Sequence, residues 1–148
     1  MSKALVLGVG NTLRGDDGVG VRVVEELKKE NLKAKVMNGA NLGFSLLDII
    51  RDHQKVVIVD AVDMGQPAGC IGSFQGEKLL SLLEDRKFSL HEMGILEVLK
   101  VGYQLQEDLS KVILIGVQPR SLDSIEKLSP EVENKISEVI AWVKKEVE

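Results

Sequence analysis

Hydrophobic positions along the chain follow two rhythms that alternate. Ala4-Leu5-Val6-Leu7 is an unbroken apolar run, whereas Val19, Val23, Val24 and Leu27 recur at the spacing of one helix face. Between them lies the stretch Gly8 to Gly20, with glycines at 8, 10, 15, 18 and 20. The opening of the chain therefore predicts a buried strand over 4–9, a glycine-rich loop and an amphipathic helix.

The same alternation continues. Residues 33–37 predict a short second strand, the cluster Asn38-Gly39-Ala40-Asn41 a turn, and 44–51 a helix. Val56-Val57-Ile58-Val59, β-branched throughout, predicts the strongest strand. A loop over 60–67, a fourth strand over 69–74 and a small helix over 77–83 follow. Ser89-Leu90-His91-Glu92 fits a capping box, with Ser89 as N-cap and Glu92 three residues on, ahead of Ile95, Leu96, Val98 and Leu99. That pattern sets His91 in the first turn of a helix. Residues 112–117 predict a fifth strand. The last helix opens at Ser129 with Pro130 at its first position, and Val132, Ile136, Val139, Ile140 and Val143 share a face.

Strands that read as continuous apolar runs are buried on both faces, as happens in parallel sheets covered by helices. The predicted fold is an α/β three-layer sandwich, a mostly parallel five-stranded twisted sheet between helices, in one domain over residues 1–148. The 148-residue length is enough for a self-sufficient core.

Composition narrows the function classes. The net charge is -4, basic residues are scattered, and aromatics make up 3%, so neither a basic face nor a stacking platform for nucleic acid is expected. The longest apolar runs are strand-sized, which predicts no membrane span. Gly8 and Gly10 cut the first apolar run short, unlike a secretory leader, and the single cysteine, Cys70, has no partner for a disulfide. Both features lead to a cytoplasmic expectation, and Cys70, in an apolar setting, reads as a buried packing residue.

The glycine loop poses the chemical question, because it ends in Asp16 and Asp17. Loops of this kind usually cradle phosphate, but the dinucleotide pattern needs a glycine where Leu13 stands, no Walker-type Gly-Lys-Ser/Thr occurs, and two carboxylates repel an anion. In an open parallel sheet, ligands bind beyond the carboxyl ends of strands whose connections depart to opposite faces. With strand order 2-1-3, that point lies between the first and third strands, where the loop bearing Asp16 and Asp17 meets Asp60 at the end of the third. Three acids would converge there, and the acids suggest a cation. Asp16 also fits an ordinary N-cap of the helix that follows. Of two histidines, His53 lies in the polar stretch Arg51-Asp52-His53-Gln54-Lys55 and reads as a surface residue, leaving His91 as the candidate imidazole. Carboxylate oxygens with one imidazole suit a borderline divalent metal. The His-Glu-x-x-His zinc signature and the Gly-x-Ser-x-Gly nucleophile elbow are both missing.

Four segments in order resemble the hydrogenase maturation endopeptidases, which trim a C-terminal extension from the nickel-bearing large subunit of nickel-iron hydrogenases. They are Leu7-Gly8-Val9-Gly10-Asn11 with Gly15-Asp16-Asp17-Gly18-Val19-Gly20, Val59-Asp60-Ala61-Val62-Asp63-Met64-Gly65, Leu90-His91-Glu92-Met93-Gly94, and Gly116-Val117-Gln118-Pro119. The resemblance implies a five-stranded sheet between helices and a metal contact made by Asp17, Asp60 and His91, with Asp17 standing where some members have glutamate. It also implies that the metal is nickel already inserted in the precursor, that no organic cofactor is needed, and that the precursor is the partner. Gly15, Asp16, Gly43 and Asp63 are expected to contact the substrate. Either carboxylate could serve as general base or as metal contact. A metal-dependent phosphohydrolase and a non-catalytic nickel-binding chaperone are the alternatives, the first requiring phosphate-positioning cations for which Arg14 and Arg120 are the candidates.

Overall fold

The computed structural model describes residues 2–85, 94–120 and 127–148. Five strands form one sheet: β1 (Ser2–Gly8), β2 (Lys35–Asn38), β3 (His53–Ala61), β4 (Ile71–Phe74) and β5 (Val112–Val117), in the order β2-β1-β3-β5-β4. The first four in that order run parallel and β4 runs antiparallel to β5 at the edge.

Alternation along each strand divides the core in two. Leu5, Leu7, Val56, Ile58, Val112 and Leu114 face one side. There they meet α2 (Ser45–Arg51), α3 (Gly76–Glu84) and α4 (Ile95–Gln104). Val6, Val57, Val59, Ile113 and Ile115 face the other side. On that side they meet α1 (Val19–Leu27), α5 (Pro130–Glu133) and α6 (Ile136–Val147). A period-two strand feeding two apolar layers is why β1, β3 and β5 read as unbroken hydrophobic runs. Each side chain fully withdrawn from water here contributes roughly 1.5–3 kcal/mol. The three-layer mixed sheet agrees with the expected fold class. Among the described residues no helix is long and apolar enough to cross a membrane.

Several local expectations are corrected. The apolar face of the last helix is continuous, but the helix breaks at Asn134 and Lys135 into α5 and α6. The α4 helix starts at Ile95, with Gly94 extended before it (φ -95°, ψ -175°) and its N–H donating to Glu97 Oε2 at 3.2 Å. Glu97 therefore fills the role expected of Glu92, while Ser89, His91 and Glu92 lie outside the described residues. Asp60, expected in a loop, belongs to β3. His53 is buried, 5% exposed at the first position of β3, with Nδ1 2.7 Å from the Ile49 carbonyl. The polar residues around it mislead because the chain turns directly from α2 into the sheet, which carries His53 inside. Cys70 is half-buried rather than buried.

The β1 strand sends its connection through α1 toward β2, and α2 brings the chain back across to β3. The switch point thus lies at the carboxyl ends of β1 and β3, as the 2-1-3 order predicts.

Candidate active site

Three glycines bring the loop after β1 against the end of β3. A Cβ at Gly8 would lie 2.1 Å from the Gly20 carbonyl oxygen, and one at Gly20 would lie 2.1 Å from that of Val59. The start of α1 therefore rests directly on two strand ends, at a distance only glycine permits. Gly10, at φ +119°, leaves room for 1.9 Å between its missing Cβ and the Asp17 carbonyl oxygen, and 3.1 Å to Asp60 Oδ1. Gly10 is thus wedged between the two acids. The β1/β3 pairing extends one residue past the strand, with the Val9 N–H donating to the Val59 carbonyl at 3.1 Å.

A short 3-10 helix, Gly15–Gly18, precedes α1 and sends its two aspartates in different directions. Asp17 lines an open cleft of about 770 Å³, and its Oδ2 accepts the Asn11 N–H at 2.8 Å. Asn11 Oδ1 accepts the Leu13 N–H at 2.9 Å, which shapes the turn before the 3-10 helix. Asp16 is 1% exposed and accepts from the Arg120 N–H (2.7 Å), the Ser129 N–H (2.7 Å) and the Ser129 hydroxyl (2.8 Å). It latches the 3-10 helix to the chain after β5 and to the start of α5. It is neither the N-cap nor a wall of the cleft.

Asp60 is nearly buried, 7% exposed, with Oδ1 accepting the Ala61 N–H at 2.8 Å. It lines the same cleft as Asp17, together with Asp63 and Gly43. Gly15 lies elsewhere, in a second cavity with Arg22 and Glu133. Among the described residues, two further carboxylates, Glu25 and Glu97, and one guanidinium, Arg14, also line the cleft. The described lining thus sets five acids against one base, a negative field that favours cations. Arg120 pairs with Glu131 at 3.4 Å, so the second cation a phosphate site would need is engaged elsewhere.

Among the described residues no three His, Cys, Asp or Glu side chains group as a metal site. The described chain supplies two carboxylates, and the expected third donor, His91, lies outside the described residues. One apolar side chain of the cleft lining stands in water, Leu13, which is 58% exposed. Gln118 is a polar residue that the motif reading quoted without assigning a role. It is nearly buried and gathers the loop after β3, with Oε1 accepting from Met64 N–H and Gln66 N–H. Its signal in the sequence is a glutamine directly after an apolar strand.

A family model described as hydrogenase maturation protease matches residues 21–146, a span that begins after Asp17 and includes Asp60 and His91. Among curated relatives, the hydrogenase expression/formation protein HupD of Thiocapsa roseopersicina is 36% identical over 140 residues, 92% of this chain and 63% of that protein. The chain thus spans under two thirds of that relative's length. The hydrogenase 2 maturation protease of Escherichia coli K12 is 32% identical over 145 residues, 95% of this chain and 88% of that one. Among solved structures, the hydrogenase maturating endopeptidase HybD from E. coli superposes with a TM-score of 0.79 at 31% identity, covering 95% of this chain and 89% of that one. A maturation protease HybD from Thermococcus kodakarensis gives 0.78 at 26% identity over 99% of both chains.

Proposed function

The chain belongs to the hydrogenase maturation protease family, and from that membership we propose that it is an endopeptidase acting on the large-subunit precursor of a nickel-iron hydrogenase. It removes the precursor's C-terminal extension, and the nickel already held by the precursor is its recognition signal.

The observation that carries this reading is the meeting of Asp17 and Asp60 at one cleft, made possible by the missing side chain of Gly10. Two carboxylates are hard donors, an imidazole is a borderline one, and the set Asp17, Asp60 and His91 suits a divalent first-row ion such as nickel. The ion belongs to the substrate. Contact with it would align the scissile peptide in the cleft, and the ion would supply Lewis acidity toward a carbonyl or a water. Whichever carboxylate is not engaged by the metal can accept a proton from the attacking water. Asp63 and the exposed side chain of Leu13 line the cleft beside these acids, facing an extended polypeptide that offers both backbone amides and apolar side chains. The cleft is open at the surface end of the sheet, as a protein substrate requires.

The test is the intact mass of a large-subunit precursor after incubation with the protein, with and without prior nickel loading. Loss of a C-terminal peptide from the loaded form alone is expected. Cleavage of both forms would remove nickel as the signal, and cleavage of neither would remove the peptidase reading.

A further inference from the structure

We propose that Gln118 is a positioning residue for this reaction, holding Asp63 and the loop over 62–66 in place at the cleft, immediately downstream of Asp60. The inference rests on the peptidase reading and concerns how that same site is kept in register.

The chain leaving β3 turns over the end of the sheet through Gly65 at φ +68°, and beyond Val62 its amides have no strand to pair with. Two of them, Met64 N–H and Gln66 N–H, donate to Gln118 Oε1 at 2.6 and 3.2 Å. Gln118 Nε2 donates to Asp63 Oδ1 at 3.1 Å and to the Pro119 carbonyl at 3.4 Å. The network fixes which way the carboxamide points, because the reverse orientation would set an NH2 group against two N–H donors. Both lone pairs and both hydrogens are used, in a side chain 7% exposed.

What Gln118 holds is part of the cleft. Asp63 lines it beside Asp60, and Pro119 lines it from the chain just after β5. Asp60 is in register with Gly116, where a Cβ would come 2.9 Å from Val62, so the bare strand lets Val62 settle next to Asp60. Val62 N–H then donates to the Val117 carbonyl at 3.0 Å, and the loop arrives at Gln118. An apolar residue could fill the same volume. It could not grip a cleft carboxylate while accepting two loop amides.

Gln118→Glu separates the two roles. One carboxylate oxygen still accepts from Met64 and Gln66, while the other stands against Asp63 where an amide now donates. Carboxylates in such contact share one proton, and the pair repels once that proton leaves. The ratio of variant to wild-type kcat/KM on a nickel-loaded precursor should lie near one at the acid end of the profile. It should fall roughly 10–100-fold as pH rises, the loss typical when a site residue loses its supporting partner. A ratio flat across the profile, at any level, would overturn the proposal. Amide exchange at Met64 and Gln66 in wild type and Gln118→Leu reads positioning without activity. Faster exchange at those two amides than at β3 amides is expected in the variant, and unchanged protection would overturn the proposal. A wild-type chain that processes no loaded precursor would count against the peptidase reading, and the amide exchange then decides the positioning alone.

Discussion

At the amino end of the sheet, polar side chains close the fold on itself. Lys111 Nζ donates to the carbonyls of Arg51 and His53 at 3.2 and 2.7 Å, and Arg51 pairs with Glu107 and with Asp48. At the carboxyl end, Asp17, Asp60 and Asp63 border a cleft, and the loops there adopt backbone shapes that side chains resist. Five of the six glycines at positive φ, Gly10, Gly15, Gly43, Gly65 and Gly69, sit in those loops, and only Gly76 lies at the other end. One sheet thus serves two purposes, and the loops that carry the chemistry are also the ones that depend on glycine.

The largest effects should come from removing the acids and the imidazole. Asp60→Ala and His91→Ala are expected to lower precursor processing by at least ~10²–10⁴-fold, the usual range for a lost acid-base or metal-contacting group, while circular dichroism reports a folded protein. Processing at wild-type rate in both would break the comparison at its centre.

Gly10→Ala comes next. Its Cβ would lie 1.9 Å from the Asp17 carbonyl in a backbone conformation that side chains rarely adopt, so both stability and processing should fall, by roughly 2–5 kcal/mol in unfolding free energy. Gly76→Ala is the control at the opposite end. Nothing lies within 4 Å of its missing Cβ, and φ is +56°, so it should cost about 1–2 kcal/mol by urea unfolding with processing unchanged. Equal losses of activity would mean that glycine at the carboxyl end is not special.

The smallest effect concerns the amino end. A hydrogen bond from Arg51, reinforced by its charge, holds the Glu107 carboxyl below its usual range. A depressed folded value stabilises above the unfolded value, and the contribution is lost as pH falls through the folded one. Arg51→Ala should therefore lower Tm slightly at neutral pH, and the gap to wild type should vanish on acidification, with processing unaffected. Arg51 is exposed and Glu107 half-buried at the surface, so screening by salt should also narrow the gap.

The sheet was legible because each inner strand is buried on both faces and so reads as an unbroken apolar run. The switch point followed from the strand order, and Asp60 from its place directly after Val59. What stayed hidden depends on contacts distant in sequence. Asp16 passes for an N-cap locally, and only the fold brings Arg120 and Ser129 to it, 104 and 113 residues away. Gln118 likewise shows its partners only once β3 and β5 lie side by side. The start of α4 was misread for a local reason: Ser89 with Glu92 and Gly94 with Glu97 both satisfy the capping spacing, and pattern alone does not choose between them.

The adjacent aspartates give the most direct test, since they share a loop and differ only in direction. Processing of a nickel-loaded precursor by Asp16→Asn and Asp17→Asn, followed by intact mass at a temperature where both remain folded, should separate them. Asp16→Asn is expected to lose about 1–3 kcal/mol of stability, as a buried acceptor weakened against its donors, yet still to cleave. Asp17→Asn should keep its Tm and fail to cleave. Cleavage by Asp17→Asn at the wild-type rate would contradict the account.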